Sequence, residues 1–331
     1  MYGPRSSLAL ATLATVAAMT PASGQDVAPA LASANSGAQS TAFIPNFSGI
    51  WGNPYLYGIE PPLSGPGPVV NKSRVRQRFD PDGRPLSPTN APLVSDATRL
   101  VGDYTNPILK PAAAEAVKKH AEMSLTGVGY PSPRNQCWPE GVPFIFTNSG
   151  MLMLQQRDKI TMLYDEDHEV RHVRMNQSHP PQVTPSWYGD SVGHYEGDTL
   201  VIDTVGIKVG PFSAVDQYGT PYTQALHVVE RYRLIDYEAA KEAQERGGKE
   251  NSRRGDNSIG AGWAADPNYK GKALQLQFTV EDEGVFTTAW SATKTYRRVF
   301  RDWPENVCAE NPHKYNTEKD VAVPTADKPD F

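Results

Sequence analysis

The chain has 331 residues, of which 39% are hydrophobic and 21% are charged, and its formal net charge is −5 at pH 7. Lys and Arg are scattered rather than clustered, which argues against a nucleic acid as partner, because binding to phosphates needs a basic patch. The 29 prolines and 27 glycines are too many for a helical protein and indicate frequent turns. Together with the strand patterns described below, the turns predict a mainly β protein with one or two short helices.

Residues 1–24 predict a cleavable signal peptide. Arg5 precedes an apolar run from Leu8 to Met19, and small residues at 22–24 follow, which are the three zones of an export signal. The apolar run is shorter than the roughly 20 residues that span a bilayer, so we expect no membrane anchor after cleavage. A buried N-terminal helix is the alternative. Residues 25–42 predict a flexible leader, and a periplasmic or secreted location follows from the signal.

The two cysteines, Cys137 and Cys308, lie far apart in the sequence. In the oxidising compartment that an exported chain enters, such a pair normally forms a disulfide. The alternative, a pair of metal thiolates, lacks the close cysteine spacing of zinc sites. We therefore predict a disulfide and no metal site.

The predicted elements form a single domain at 43–315, followed by a C-terminal tail at 316–331. The segment 53–107 is rich in Pro and Gly and predicts an irregular arm. A helix is predicted at 109–123, where Ala, Glu and Lys dominate. Residues 236–272 predict a loop insertion with a short helical opening. Alternating apolar and polar residues predict strands at 160–164, 169–175, 192–195, 199–205, 225–235, 274–280 and 291–300.

Several of these strands are joined by short acidic turns, which predict antiparallel hairpins. An antiparallel up-and-down barrel buries one face of such hairpins and removes exposed edges. The segment 47–51, Phe-Ser-Gly-Ile-Trp, resembles the Gly-x-Trp strand of lipocalin-like barrels, where the tryptophan plugs one end. A plain core tryptophan is the alternative for Trp51.

A broader resemblance covers roughly 130–315. It rests on three parts of the sequence: TPSWYGDSVGHYEGDTLVIDTVG at 184–206, ALHVVERY at 225–232, and the cysteine segments CWPEG at 137–141 and CAEN at 308–311. These motifs resemble a large family of secreted bacterial proteins of unassigned function, and the resemblance implies a lipocalin-like fold. Ala309 stands where that family leads us to expect histidine, so a site that needs this imidazole is not implied.

The segment His168-Glu169-Val170-Arg171-His172 matches the zinc-binding spacing of metalloproteases. The zinc interpretation requires a helix, whereas the segment follows an acidic turn and continues with strand spacing. Histidines four residues apart in a strand are about 13 Å apart, too far to share one ion. We therefore predict a hairpin strand here.

Strand alternation can direct several polar side chains into a barrel interior. Because His227 and Glu230 face opposite ways in a regular strand, only one of them can face the lumen. We favour His227 with Arg231, since the other face of that strand is more apolar. The predicted catalytic residues are His194, His227, Asp203 and Arg231, and a satisfied structural network is the alternative for each of them.

Aromatic walls with a few fixed polar groups suit a small, partly apolar or aromatic ligand. The predicted ligand-binding residues are Trp187, Tyr195, Tyr222, His179 and Glu230. For His179, an ordinary surface histidine is the alternative.

These residues favour a periplasmic enzyme of the lyase, isomerase or hydratase type that needs no cofactor. His194 or His227 would move the proton, Asp203 would orient the imidazole, and Arg231 would stabilise developing negative charge. Two alternatives stay open: a non-catalytic lipocalin-like binding protein, and a metal-dependent enzyme that uses His194 and His227. The sequence does not specify the oligomeric state.

Overall fold

The computed structural model describes residues 44–308 except 57, 148–149, 167–168, 254–265, 267, 301–302 and 304–306. The predicted signal peptide, leader and C-terminal tail lie outside the described residues, as does His168 of the zinc-like motif. The described residues belong to one compact unit. None of the helices described in it has the length and apolar character needed to cross a bilayer.

Strands dominate the described chain, and only two α-helices accompany them. The helices are α1, Pro111–Leu125, and α2, Tyr237–Gly247. The strands are β1 Gly49–Gly52, β2 Tyr55–Leu56, β3 Arg74–Arg76, β4 Leu93–Ser95, β5 Met151–Gln155, β6 Lys159–Tyr164, β7 Val170–Met175, β8 Asp190–Glu196, β9 Thr199–Val205, β10 His227–Ile235, β11 Ser252–Arg253, β12 Ala273–Glu281 and β13 Trp290–Val299.

Nine of the strands form a closed barrel in the order β1, β13, β12, β10, β9, β8, β7, β6, β5. The short strand β1 closes it by pairing with both β13 and β5. This confirms the predicted mainly β barrel. It is a mixed barrel, because β7 and β8 pair in parallel while the other neighbours are antiparallel. The parallel pair requires the chain to cross over between 176 and 189 instead of turning tightly.

Most predicted elements are confirmed, with shifts of a few residues at their ends. The predicted hairpins are β6 with β7 and β8 with β9, and the predicted helix at 109–123 is α1. The predicted arm at 53–107 contains the short strands β2, β3 and β4. Strand β5 was missed, because its sequence Met-Leu-Met-Leu-Gln has no alternation of apolar and polar residues.

The barrel interior is filled with side chains. Inward positions on the facing strands are fully buried and pack into one core cluster. At one end, Trp51 donates its Nε1 hydrogen to the Phe47 carbonyl, 2.9 Å away. The guanidinium of Arg298 lies over the Trp51 ring, 4.9 Å from its centre, and Nη1 donates to the carbonyl of Ser48 at 2.6 Å. Trp51 is almost fully buried and belongs to the core cluster, which fits both the lipocalin-like strand and the plain core tryptophan.

A buried ion pair crosses the interior between β7 and β10. The Arg171 guanidinium donates to both Glu230 oxygens, at 3.0 and 2.5 Å, and both side chains are almost fully buried. Three hydroxyls complete the network: Nη2 donates to Thr204 at 2.6 Å, Nε donates to Ser191 at 3.0 Å, and Tyr232 donates to Glu230 at 2.8 Å. Burial opposes the charge on Arg171, but the facing carboxylate prevails and raises its pKa.

The predicted orientation of β10 was wrong. Val228, Glu230 and Tyr232 face the lumen, whereas His227 and Arg231 face outward. The prediction favoured His227 and Arg231 for the lumen, although the face with Glu230 is the more apolar one. In the structure that face lies in the core, and Arg171 from β7 compensates the single carboxylate.

Cys137 and Cys308 form the predicted disulfide, with their Cα atoms 5.4 Å apart. The bond joins residues 171 positions apart in the sequence. It ties the end of the described chain to the segment that precedes the short 3₁₀ helix Phe144–Thr147. The zinc interpretation of the motif at 168–172 is not supported, since Val170–Met175 is a strand.

Replacing Arg171 with Met removes the cation and leaves the Glu230 carboxylate buried alone. We expect the free energy of unfolding, measured by urea denaturation, to fall by about 3 to 5 kcal/mol. The double variant Arg171→Met with Glu230→Leu should recover much of this loss, because neither buried charge remains.

Arg231→Met is the matched control. Arg231 pairs with Glu196 on the solvent-facing side of the barrel, and exposed pairs contribute little to stability. A loss for Arg171→Met no larger than that for Arg231→Met would contradict the role given to the interior pair.

Candidate functional site

Two histidines converge on one carboxylate on the outer wall of the barrel. His227 Nε2 lies 2.9 Å from Asp203 Oδ1, and His179 Nε2 lies 3.2 Å from the same oxygen. The three side chains are half-buried to moderately exposed. We call this group of His179, Asp203 and His227 the Asp203 cluster.

Strand pairing places Asp203 and His227 on the same face. Asp203 pairs with Val229 on β10, so His227 lies one outward position further along the neighbouring strand. His227 in turn pairs with Glu281 on β12, and its Nδ1 lies 3.5 Å from Glu281 Oε2. The imidazole of His227 is therefore flanked by a carboxylate at each nitrogen.

His179 reaches the cluster from the crossover segment between β7 and β8. Its Nδ1 lies 2.6 Å from Asp190 Oδ2, at the start of β8. Arg174 of β7 donates through Nη2 to both Asp190 oxygens, at 2.8 and 2.7 Å. The imidazole of His179 thus attaches the crossover to the barrel wall, with both of its nitrogens engaged.

The electrostatics of the cluster favour a protonated His227 and an ionised Asp203. The hydrogen bond to Asp203 is the main cause that raises the pKa of His227 above its ordinary 6.5, and Glu281 adds to it. The same hydrogen bond is the main cause that lowers the pKa of Asp203 below its ordinary 3.8, and His179 adds to it. Because an ionised Asp203 can only accept, Nε2 of His227 carries the hydrogen, and Nδ1 is the nitrogen that titrates.

His194 and Arg231 form a second outer-wall group around Glu196. His194 Nε2 lies 3.1 Å from Glu196 Oε1, and Arg231 Nη1 donates to Glu196 Oε2 at 2.6 Å. His194 pairs with Val201 on β9 and His227 lies beside Val205, so about 13 Å of strand separates the two imidazoles. This spacing does not favour a metal ion shared by His194 and His227.

The predicted ligand-binding residues lie in different places. Trp187 packs edge-on against Trp138, with ring centres 4.9 Å apart, and Lys208 Nζ lies 4.5 Å from the Trp187 ring centre. Tyr222 donates to the Lys208 carbonyl at 2.9 Å. Tyr195 stacks on Phe47 at one end of the barrel. Glu230 is in the interior, and only His179 joins the Asp203 cluster.

Sequence reasoning missed three charged partners of the cluster: Asp190, Arg174 and Glu281. Asp190 lies within the motif at 184–206, and its spacing to His194 along β8 already places the two on one face. Glu281 lies on the same face of β12 as the other outward residues, because it is an even number of positions away from them. Which outward residues become neighbours depends on strand order and register, and local sequence patterns do not specify these.

Across the described part of the chain, no group of three or more His, Cys, Asp or Glu side chains has an arrangement that would hold a metal ion. No family model, curated protein or solved structure matches this chain at a significant level. The resemblance to secreted bacterial proteins therefore stays a prediction, and the functional argument rests on the geometry of the site.

Because the pKa of His227 is raised, part of the stability of the fold depends on pH. A raised histidine pKa stabilises the fold fully below 6.5, and this contribution is lost as pH rises through the pKa of the folded protein. A lowered aspartate pKa stabilises the fold above 3.8, and this contribution is lost as pH falls through the folded pKa. The Asp203 and His227 pair therefore stabilises most between pH 3.8 and 6.5.

We expect Asp203→Asn to lower the pKa of His227 toward 6.5, because the charged hydrogen-bond acceptor is lost. An NMR titration of the imidazole resonances measures this directly. Glu196→Gln is the control, since Glu196 contacts His194 and Arg231 instead. An unchanged His227 pKa in Asp203→Asn would show that the pair does not form in solution.

Proposed function

We propose that this protein is an exported enzyme that performs acid–base chemistry at the Asp203 cluster, without a cofactor, on a small and partly apolar molecule. One observation carries the proposal. Asp203 holds His227 by Nε2, and Nδ1, which lies 3.5 Å from the exposed Glu281 carboxylate, exchanges a proton at a site open to solvent. A base held by a carboxylate in this way is a recurring catalytic arrangement.

The chemistry follows from the charges around His227. Nδ1 of the neutral imidazole takes a proton from the substrate, and the imidazolium that forms is stabilised by Asp203 and by Glu281. The same nitrogen then returns the proton to another atom of the substrate, or to a leaving hydroxyl. Isomerisation, elimination and hydration all follow this pattern.

The roles proposed for Arg231, His194 and His179 differ from those that the sequence predicted. Arg231 is engaged with Glu196 on another part of the wall, so we do not assign it the stabilisation of developing negative charge. His194 shares that location and is not part of the proposed site. His179 is a positioning residue, since it holds Asp203 from the side opposite to His227.

The proposal includes an exported location. The disulfide between Cys137 and Cys308 is the kind of bond that persists in an oxidising compartment. Together with the predicted signal peptide, it supports a periplasmic or secreted enzyme.

The test uses two small ketones whose reactions need proton transfer. Cyclohex-3-enone reports isomerisation through the absorbance of its conjugated product, and 4-hydroxybutan-2-one reports elimination in the same way. We expect His227→Asn to lower kcat/KM by about 100-fold or more, the usual contribution of a general base. The rate should rise with pH through the raised pKa of His227, and Asp203→Asn should shift that rise to lower pH.

His172→Asn is the matched control. His172 is also on the outer wall and contacts the Thr161 hydroxyl at 3.2 Å, away from the Asp203 cluster. Equal losses in His172→Asn and His227→Asn would contradict the proposal. If the protein binds the ketones without converting either, the alternative of a non-catalytic binding protein is favoured.

A further inference from the structure

An open groove lies at one end of the barrel, apart from the Asp203 cluster. Its volume is about 530 Å³, within the range of roughly 300 to 1,000 Å³ for small-molecule sites. The turn between β5 and β6, the end of β7, the end of β8 and the segment before β1 contribute to its walls. The lining residues are Ile44, Pro45, Asn46, Gln155, Gln156, Arg157, Asn176 and Tyr195.

The floor of the groove is held in place by Gln155. Its Nε2 donates to the Tyr195 hydroxyl at 2.8 Å and to the Pro45 carbonyl at 3.1 Å, and its Oε1 accepts from the Phe47 N–H at 2.8 Å. The Tyr195 and Phe47 rings are stacked, with an angle of 8° between their planes. The groove therefore exists before a ligand arrives and presents part of an aromatic ring at its base.

Polar donors surround this floor. Within the described residues, the side-chain NH₂ groups of Asn46, Gln156 and Asn176 donate no hydrogen bond to the protein, and neither does the Arg157 guanidinium. Asn176 adopts a left-handed backbone conformation with φ of 56°. Asparagine tolerates this conformation better than most residues, and here it turns the chain at the end of β7, where the residue lines the groove.

The residues that line the groove carry one positive charge. Arg157 is the one lining side chain that is charged at neutral pH, because burial raises the pKa of Tyr195 further above neutrality. A guanidinium binds a carboxylate through two parallel hydrogen bonds. Each carboxamide both donates and accepts, which matches hydroxyl groups.

We propose that this groove binds a small hydroxylated organic monoanion of the size of a sugar acid. The carboxylate pairs with Arg157, the hydroxyls bond to Asn46, Gln156 and Asn176, and one carbon face of the ring lies toward Tyr195. The site is separate from the Asp203 cluster, so its occupancy does not depend on the proposed catalytic function.

Calorimetric titration of the full chain with D-glucuronate tests the proposal, with D-glucose and 4-hydroxybenzoate as comparison probes. We expect saturable binding of D-glucuronate that is at least tenfold tighter than binding of D-glucose, which lacks the charge, and of 4-hydroxybenzoate, which has a single hydroxyl. Arg157→Gln should weaken D-glucuronate binding at least tenfold, and Asn176→Ala should weaken it severalfold.

Arg233→Gln is the matched control, since Arg233 is an exposed arginine that donates to Gln275 on the outer wall. It should bind D-glucuronate as the unchanged protein does, and so should His227→Asn. Absence of D-glucuronate binding overturns the proposal, as does equal binding by Arg157→Gln and Arg233→Gln. Tighter binding of 4-hydroxybenzoate than of D-glucuronate overturns the hydroxylated class of ligand.

Discussion

The ion pair between Arg171 and Glu230 lies inside the barrel, and it allows the face of β10 that carries a carboxylate to be the buried one. A charge at that depth is stable only with a partner at hydrogen-bond distance, and Arg171 meets Glu230 through two such contacts. The hydroxyls of Thr204, Ser191 and Tyr232 complete the network. Among the described residues, this network and the apolar core occupy the lumen. The candidate sites are on the outside of the barrel and at its end.

The outer wall carries chemistry because its strands run side by side in a defined register. Asp190, Asp203, His227 and Glu281 come from four strands, yet pairing brings them to neighbouring positions on one surface. The crossover imposed by the parallel pairing of β7 with β8 contributes His179. A tight hairpin between β7 and β8 would have left no segment long enough to carry His179 to Asp203. The irregular connection in an otherwise regular barrel thus completes the candidate active site.

Local sequence patterns predicted the hairpins β6 with β7 and β8 with β9, because alternation and tight turns are short-range properties. The helix α1 was predicted for the same kind of reason, whereas the disulfide was predicted because the chain has two cysteines and an export signal. Strand β5 was missed, since its five residues carry no alternation. The two faces of β10 show most clearly what local patterns cannot predict. Alternation correctly separated His227 and Arg231 from Glu230, but it did not indicate which of the two faces is buried.

By itself, the sequence determined that the chain is mainly β, which segments form most of the barrel strands, and which side chains share a face of each of those strands. Only the tertiary structure decided which face is buried, because that depends on whether a distant residue can compensate a charge, as Arg171 does for Glu230. It also decided which imidazoles meet. His194 and His227 are separated because the register places them about 13 Å apart along β9. His179 and His227 share Asp203 because the crossover returns to the wall at that point.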